Sequence, residues 1–470
     1  MQFGVGVIVV KLSDSPASEL AAAQIASALF SSQETAAQDG GGSQAQLALI
    51  DLPRLVLLST AHGEGRLVLK ALKRLRAEQK LRGTFPRGAS SKFSHVVLQE
   101  FAPGVTLKDL CHGEAEAAAD PSEDEDTQQR RSWASRHLTH HDEPRGERED
   151  SSRSKVLFGL GSIIAYDVLT CNADRIFLEG VFSNFSRCGN LANILLQSSG
   201  GSATGDRVVA LDNATGAYDT SGGRDLRRRA ENAARFREYQ QSVFALCASV
   251  TARLAEAAES GAPHRTPPHP SIAGLRRFFL EGQGVPSEAS FVPGVEFDIG
   301  EAGLHQIESG FQAVVERLQA LDRVDSGGIC QLFGHIERNV KLSCGIESAA
   351  DERACFDLVR VNADFLTDTA HAMLAGAAAE STPGYDLQRQ ISSPVIEPDA
   401  EPDTEPLPPI FLADQVCTYG SERRGSLTQN IFIQEESSKE QEEEEAQMSW
   451  ERFSAMTSSL ERSFGDRLQM

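Results

Sequence analysis

Asp174-Arg175, then Gly189-Asn190-Leu191-Ala192-Asn193-Ile194-Leu195-Leu196, then Val208-Val209-Ala210-Leu211-Asp212 follow one another along the chain. Moving a phosphoryl group from ATP to a hydroxyl needs an acidic residue that orients and deprotonates the acceptor. It also needs a carboxamide and a second carboxylate that hold magnesium on the phosphates. Asp174, Asn193 and Asp212 occur in that order. Magnesium takes few protein oxygens and fills its shell with phosphates and water, so Asn193 and Asp212 suffice as its protein ligands. Each residue alone has a blander reading. An Asp-Arg pair is commonly a surface ion pair or a helix end, and an Asn before a strand is commonly a turn residue. It is the ordered set that favours a kinase core.

The elements around these residues suit that chemistry. Leu160, Ile163, Ile164 and Val168 recur at helical spacing, which predicts a helix over Val156 to Thr170 with Asp174 in the polar stretch just after it. Ile194-Leu195-Leu196 and Val208 to Leu211 are short apolar runs on either side of the loop Ser198-Ser199-Gly200-Gly201-Ser202. Such a pattern predicts a β-hairpin. Asn193 opens its first strand and Asp212 closes its second, so both side chains can face one metal-phosphate cluster.

The N-terminal region supplies a second set. Val5 to Val10 is a continuous apolar run that predicts a buried strand ending at Lys11, where kinases keep the lysine that contacts the α- and β-phosphates. Ser15-Pro16 reads as the cap and first residue of a helix continuing through Ala21, Ile25, Ala28 and Leu29. Glu19, in its first turn, either complements the helix dipole or pairs with Lys11; the downstream core favours the pair. Val96-Val97-Leu98-Gln99-Glu100-Phe101-Ala102-Pro103-Gly104 reads as a strand, a hinge and a turn, with a helix starting at Leu107. The backbone of Glu100, Phe101 and Ala102 is the candidate adenine-binding segment.

These residues resemble the catalytic domain of the actin-fragmin kinase family, an atypical branch of the protein-kinase-like fold. The resemblance is carried by Val9-Val10-Lys11 with Ala17-Ser18-Glu19-Leu20, by Gly161-Ser162-Ile163-Ile164-Ala165-Tyr166-Asp167, and by Asn172-Ala173-Asp174-Arg175. It continues through Gly189 to Leu195 and Ala210-Leu211-Asp212-Asn213, and covers roughly residues 1 to 375. Lipid kinases of the phosphatidylinositol type share the Asp-Arg and Asn-Ile elements. The resemblance implies an α+β, bilobal fold with a small N-terminal β lobe and a larger helical C-terminal lobe. It implies ATP and Mg2+ as cofactors, and a protein Ser/Thr hydroxyl as acceptor, on actin or an actin-severing protein complex. It makes Asp174 the base within a catalytic Asp174-Arg175 pair, Asn193 and Asp212 metal ligands, Lys11 the phosphate contact and Glu19 its orienting partner.

Departures from that pattern are as informative. Only Met1-Gln2-Phe3-Gly4-Val5-Gly6 precedes the first strand, so a Gly-rich phosphate loop is curtailed or the β lobe is truncated. Asn213-Ala214 follows Asp212 in place of Phe-Gly, and no Ala-Pro-Glu follows, which argues against a conventional activation segment. Ile176 to Cys188 reads as an inserted loop. No kelch-like repeat is visible.

With 67 acidic and 45 basic residues and a formal net charge of −22, the chain is poorly suited to non-specific nucleic-acid binding, which needs clustered Lys and Arg. No apolar run is long enough to span a membrane, and no signal peptide is evident. Eight cysteines are scattered without a CxxC pair, which fits reduced thiols in a cytoplasmic protein. Residues 1 to 378 form the expected catalytic domain, with disordered insertions over about 31–46 and 114–155. The second of these carries Glu123-Asp124-Glu125-Asp126 and a His137, His140, His141 cluster that reads as solvated. Residues 379 to 470 read as an acidic, Pro-rich tail. It ends in an amphipathic helix over 447–467, on the spacing of Trp450, Phe453, Met456, Leu460 and Phe464. Asp225 to Glu259, Ala302 to Leu321 and Asp351 to Ala378 predict the helices of the larger lobe. Two other readings stand beside a protein kinase: a lipid or small-molecule kinase on the same core, and a catalytically impaired pseudokinase that serves as an interaction module.

Overall fold

The computed structural model describes residues 8–13, 16–30, 50, 51, 53, 55–59, 66, 68, 95–100, 102, 104–108, 147–182, 189–197, 207–216, 226–260, 267–281, 300–324, 328–344 and 361–379. Within them the protein is mixed α and β, mostly helical, with two small sheets. The first sheet has the order β1 (Ile8–Ser13), β4 (His95–Glu100), β3 (Leu55–Ser59), and both pairings are antiparallel. β1 runs two residues past Lys11, the end that the apolar run predicts, because β4 offers partners as far as His95: Lys11 faces Val97, and Ser13 faces His95.

The second sheet has the order β2 (Ile50–Asp51), β7 (Arg207–Ala210), β6 (Ile194–Gln197), β5 (Val105–Thr106). β6 and β7 form the expected antiparallel hairpin, with Ile194 opposite Ala210. β2 joins β7 in parallel. Side chains alternate across this hairpin as strand geometry demands. Ile194, Leu196, Val208 and Ala210 enter the main core, and Leu195 and Val209 are buried on the other face. The chain passes from one sheet to the other between Glu100 and Val105, the segment singled out as a hinge. A short strand, β5, separates that hinge from Leu107.

Helix α1 (Pro16–Phe30) follows β1. Helix α2 (Glu147–Thr170) is the centre of the molecule: every residue from Val156 to Thr170 is buried. A helix enclosed on all sides has no polar face to advertise it, so Asp167 and Ser162 sit inside it and need internal partners. α2 also begins earlier than its apolar spacing predicts. Residues 147–155 are helical, not part of the charged insertion, because Glu, Arg and Lys are good helix formers and extend a helix already nucleated by buried turns.

α3 (Leu226–Ser260) and α5 (Gly300–Val324) correspond to two predicted helices, and α7 (Ala363–Ala378) to the C-terminal part of the third, of which residues 351–360 lie outside the described residues. α7 starts at Ala363, where the Asn362 side chain accepts from the Asp364 and Phe365 amides at 2.8 and 3.2 Å and caps the first turn. Two further helices among the described residues, α4 (Pro270–Glu281) and α6 (Gly328–Ser343), join them. α2 and α5 cross at backbone contact. A Cβ on Gly161 would lie 1.9 Å from the Ile307 carbonyl oxygen, and one on Gly310 1.9 Å from that of Phe158. Ser162 Oγ closes the crossing with a bond to Gly310 O at 2.9 Å. The loop read as an insertion after Asp174 contributes to the core, where Ile176, Leu178, Val181 and Phe182 are buried and Phe182 stacks on Tyr239 at 6.1 Å.

Phe101, residues 31–46 and 114–146, the His137–His141 cluster and residues 380–470, with the amphipathic segment 447–467, lie outside the described residues. Among the described residues no helix is long and apolar enough to cross a membrane.

Candidate active site

The turn that follows α2 is built by its own polar side chains. Cys171 takes a left-handed backbone, φ 54°, and stops the helix, while the Asn172 amide folds back onto Asp167 O at 2.8 Å. Asn172 Oδ1 accepts the Asp174 amide at 3.1 Å, a local bond that shapes the turn and leaves the Asp174 side chain exposed.

Asn193 arrives from the other side. Residues Leu191–Asn193 form one turn of 3-10 helix directly before β6. Asn190 caps it: its Oδ1 accepts from the Ala192 amide at 3.2 Å, and its Nδ2 donates to Asn193 Oδ1 at 3.2 Å. The Asn190 amide donates to Asp174 O at 2.5 Å, so the two turns are tied through backbone as well. Asn193 Nδ2 then donates to Asp174 Oδ2 at 3.2 Å. Asn193 thus bridges the two turns, its Oδ1 accepting from Asn190 and its Nδ2 donating to Asp174.

Asp212 stands two residues beyond β7, at the same end of the hairpin as Asn193. The Leu211 amide donates to Asn193 O at 2.8 Å, one step past the Ile194–Ala210 pair. Asp212 has φ 50°, a left-handed conformation that Asp tolerates better than most residues but that needs surrounding bonds to hold it. Arg175 provides them. Its Nη1 donates to Leu211 O at 3.0 Å and to Asn213 Oδ1, while Asn213 Nδ2 donates to Ala210 O at 2.9 Å.

Arg175 itself has no exposed surface and cannot meet a substrate. Its Nε donates to Asp167 Oδ2 at 3.1 Å and its Nη2 pairs with Asp167 Oδ1, a two-pronged contact. Its guanidinium carbon lies 5.5 Å from the Tyr166 ring centroid. Burial pushes the Asp167 carboxyl above its ordinary range, against the pull of Arg175. Burial works against the Arg175 charge too, but Asp167, with Tyr166 and Asp212 behind it, outweighs that and raises its pKa. Arg175 is therefore a positioning residue. Its role is invisible in the Asp-Arg dipeptide, because its partners come from α2 and from the far end of β7.

The remaining candidates are placed as follows. Glu19 is buried on the first turn of α1, 5% exposed. Lys11 lies in the interior of β1, opposite Val97; its side chain, and with it the Lys11–Glu19 pair, lies outside the described residues. Glu100 ends β4 opposite Ile8, and Ala102 follows it toward the second sheet. The geometry thus joins Asp174 to Asn193 directly and Asp212 to Asn193 through backbone. No group of three or more His, Cys, Asp and Glu among the described residues could hold a metal. An Asn and an Asp would instead offer the hard oxygens that suit magnesium held mainly by phosphates and water. No protein-family model matches the chain, and no curated protein matches it.

Proposed function

We propose that the protein is an ATP-dependent kinase of the actin-fragmin kinase type, with a bilobal kinase-like arrangement, that phosphorylates a Ser or Thr hydroxyl of a protein. The supporting observation is the hydrogen bond from Asn193 Nδ2 to Asp174 Oδ2, made at the end of the hairpin that also carries Asp212. An exposed carboxylate is held beside a carboxamide, and the loop that carries a second carboxylate is tied to the same Asn193 through the Leu211 amide.

Mg-ATP would supply the γ-phosphoryl group and the cation that offsets its charge. Asp174 orients the acceptor hydroxyl and takes its proton as the new O–P bond forms and the bond to the ADP oxygen breaks. Asn193 Oδ1 and the Asp212 carboxylate would hold the cation. Lys11 meets the α- and β-phosphates, Glu19 orients it, and the backbone from Glu100 to Ala102 takes the adenine. Actin, free or bound to a severing protein, is the proposed substrate.

Incubating the chain with labelled ATP and actin, alone and complexed with a severing protein, tests this. Label on actin Ser or Thr that depends on Asp174 supports the reading. Label on lipid or a small molecule replaces the substrate, and failure to bind Mg-ATP overturns the reading.

A further inference from the structure

Three residues after the left-handed Asp212, the chain is fastened to α1. Ser18 Oγ donates to Thr215 O at 2.8 Å, Thr215 Oγ1 donates to Ser18 Oγ at 3.3 Å, and the Thr215 amide donates to Ser18 O at 3.3 Å. The two hydroxyl protons are both used and neither oxygen is duplicated as donor. Ser18 is fully buried and Thr215 is 1% exposed, so water does not compete for these bonds. A second fastening follows at once: the Gly216 amide donates to Thr170 O at 2.7 Å, the last residue of α2. Gly216 is pressed so close that a Cβ there would lie 2.2 Å from Cys171 O. Ser18 precedes Glu19 on the first turn of α1.

We propose that the Ser18–Thr215 clip is a positioning device that registers the Glu19 end of α1 against the loop carrying Asp212. It holds the two as one unit. Arg175 fixes the loop before and after Asp212, and the clip fixes its exit, so Asp212 keeps one conformation with no modification needed to order it. A switch that displaced Asp212 would have to break both fastenings. The inference rests on the phosphoryl-transfer reading for the use made of Asp212, and on geometry alone for the clip.

The test compares Ser18→Ala and Thr215→Val with Thr369→Val, which removes a buried hydroxyl bond to Phe365 O on α7, outside the site. Amide exchange is followed at Leu211, Thr215 and Gly216, and Mg-ATP affinity by titration calorimetry. Both clip variants are expected to speed those amides and to weaken Mg-ATP about tenfold, the usual scale for a group that orients a metal ligand. Thr369→Val does neither, and Thr215→Ser restores both. Unchanged exchange at the three amides overturns the clip. Faster exchange with affinity equal to the control reduces it to a structural bond and overturns its positioning role. A wild-type chain that binds no Mg-ATP overturns the phosphoryl-transfer reading alone, while the exchange rates still decide whether the clip holds the loop.

Discussion

Asp174 and Arg175 are adjacent in sequence and opposite in environment: one side chain is exposed, the other fully enclosed. The consequences of changing them should divide accordingly. Asp174→Asn keeps an oxygen for Asn193 Nδ2 and removes the proton acceptor. Transfer rate should fall about 10²–10⁴-fold while Mg-ATP affinity holds. Single-turnover kinetics beside calorimetry will show it, and a variant of undiminished rate removes Asp174 from the chemistry. Arg175→Lys should instead act through folding. Lysine cannot reproduce the fork that meets Asp167, Leu211 and Asn213. Leaving Asp167 buried and poorly paired should cost about 3 kcal/mol, read by urea denaturation. Retained stability would show that the pocket rearranges around an ammonium. Order and spacing in the sequence brought forward Asp174, Asn193 and Asp212. They could not assign Arg175, Ser18 or Thr215, whose partners lie on other elements.

At the scale of elements, the hairpin was legible as two continuous apolar runs around a Gly/Ser loop, and the long helices because their apolar residues repeat at three to four positions. α6 carried an equally clear signal, with Ile329, Phe333, Ile336 and Val340 all buried on one face. α4 announced itself by Pro270 in its first turn. Its start depends on His269, whose carbonyl accepts the Ile272 and Ala273 amides at 2.9 Å and whose Nδ1 accepts the Ser271 amide at 3.2 Å. Burial lowers the His269 pKa below the ordinary 6.5. The unfolded chain therefore takes up the proton first, and stability should fall as pH drops below 6.5, with the Nδ1 acceptor lost on protonation. His269→Asn retains a capping oxygen and should flatten that part of the pH profile of the melting temperature. An unchanged profile would place the acid sensitivity elsewhere. The α2–α5 crossing was not legible, since Gly161 and Gly310 reveal their use only once the helices touch. Gly161→Ala forces backbone apart and should destabilise by about 3 kcal/mol. A melting temperature equal to wild type would mean the helices separate freely.

For the whole molecule, the described helices and strands end at Ala378, and the acidic, Pro-rich composition beyond offers little to a core. A chain ending at Glu380 is expected to melt within about 2 °C of the full chain. A drop beyond about 4 °C, on the order of 1 kcal/mol or more for a domain of this size, would mean that the Trp450 to Phe464 face packs on it.

The parallel pairing of Ile50 with Val208, and the Ser18–Thr215 bonds across 197 positions, also set a schedule for synthesis. Translation delivers α1 and β2 long before Thr215 and β7 exist, whereas β1 and β3 can pair with β4 as soon as His95–Glu100 has emerged. Apolar segments that wait for distant partners are open to aggregation and to chaperones, and closing such long loops slows folding. Nascent chains arrested before Val208 has left the ribosome should be cut by protease within α1 or β2. Chains arrested after Gly216 and α5 have emerged should resist. Early resistance would show that the N-terminal segments fold by themselves, and that the β2–β7 pairing is a late docking of two finished parts.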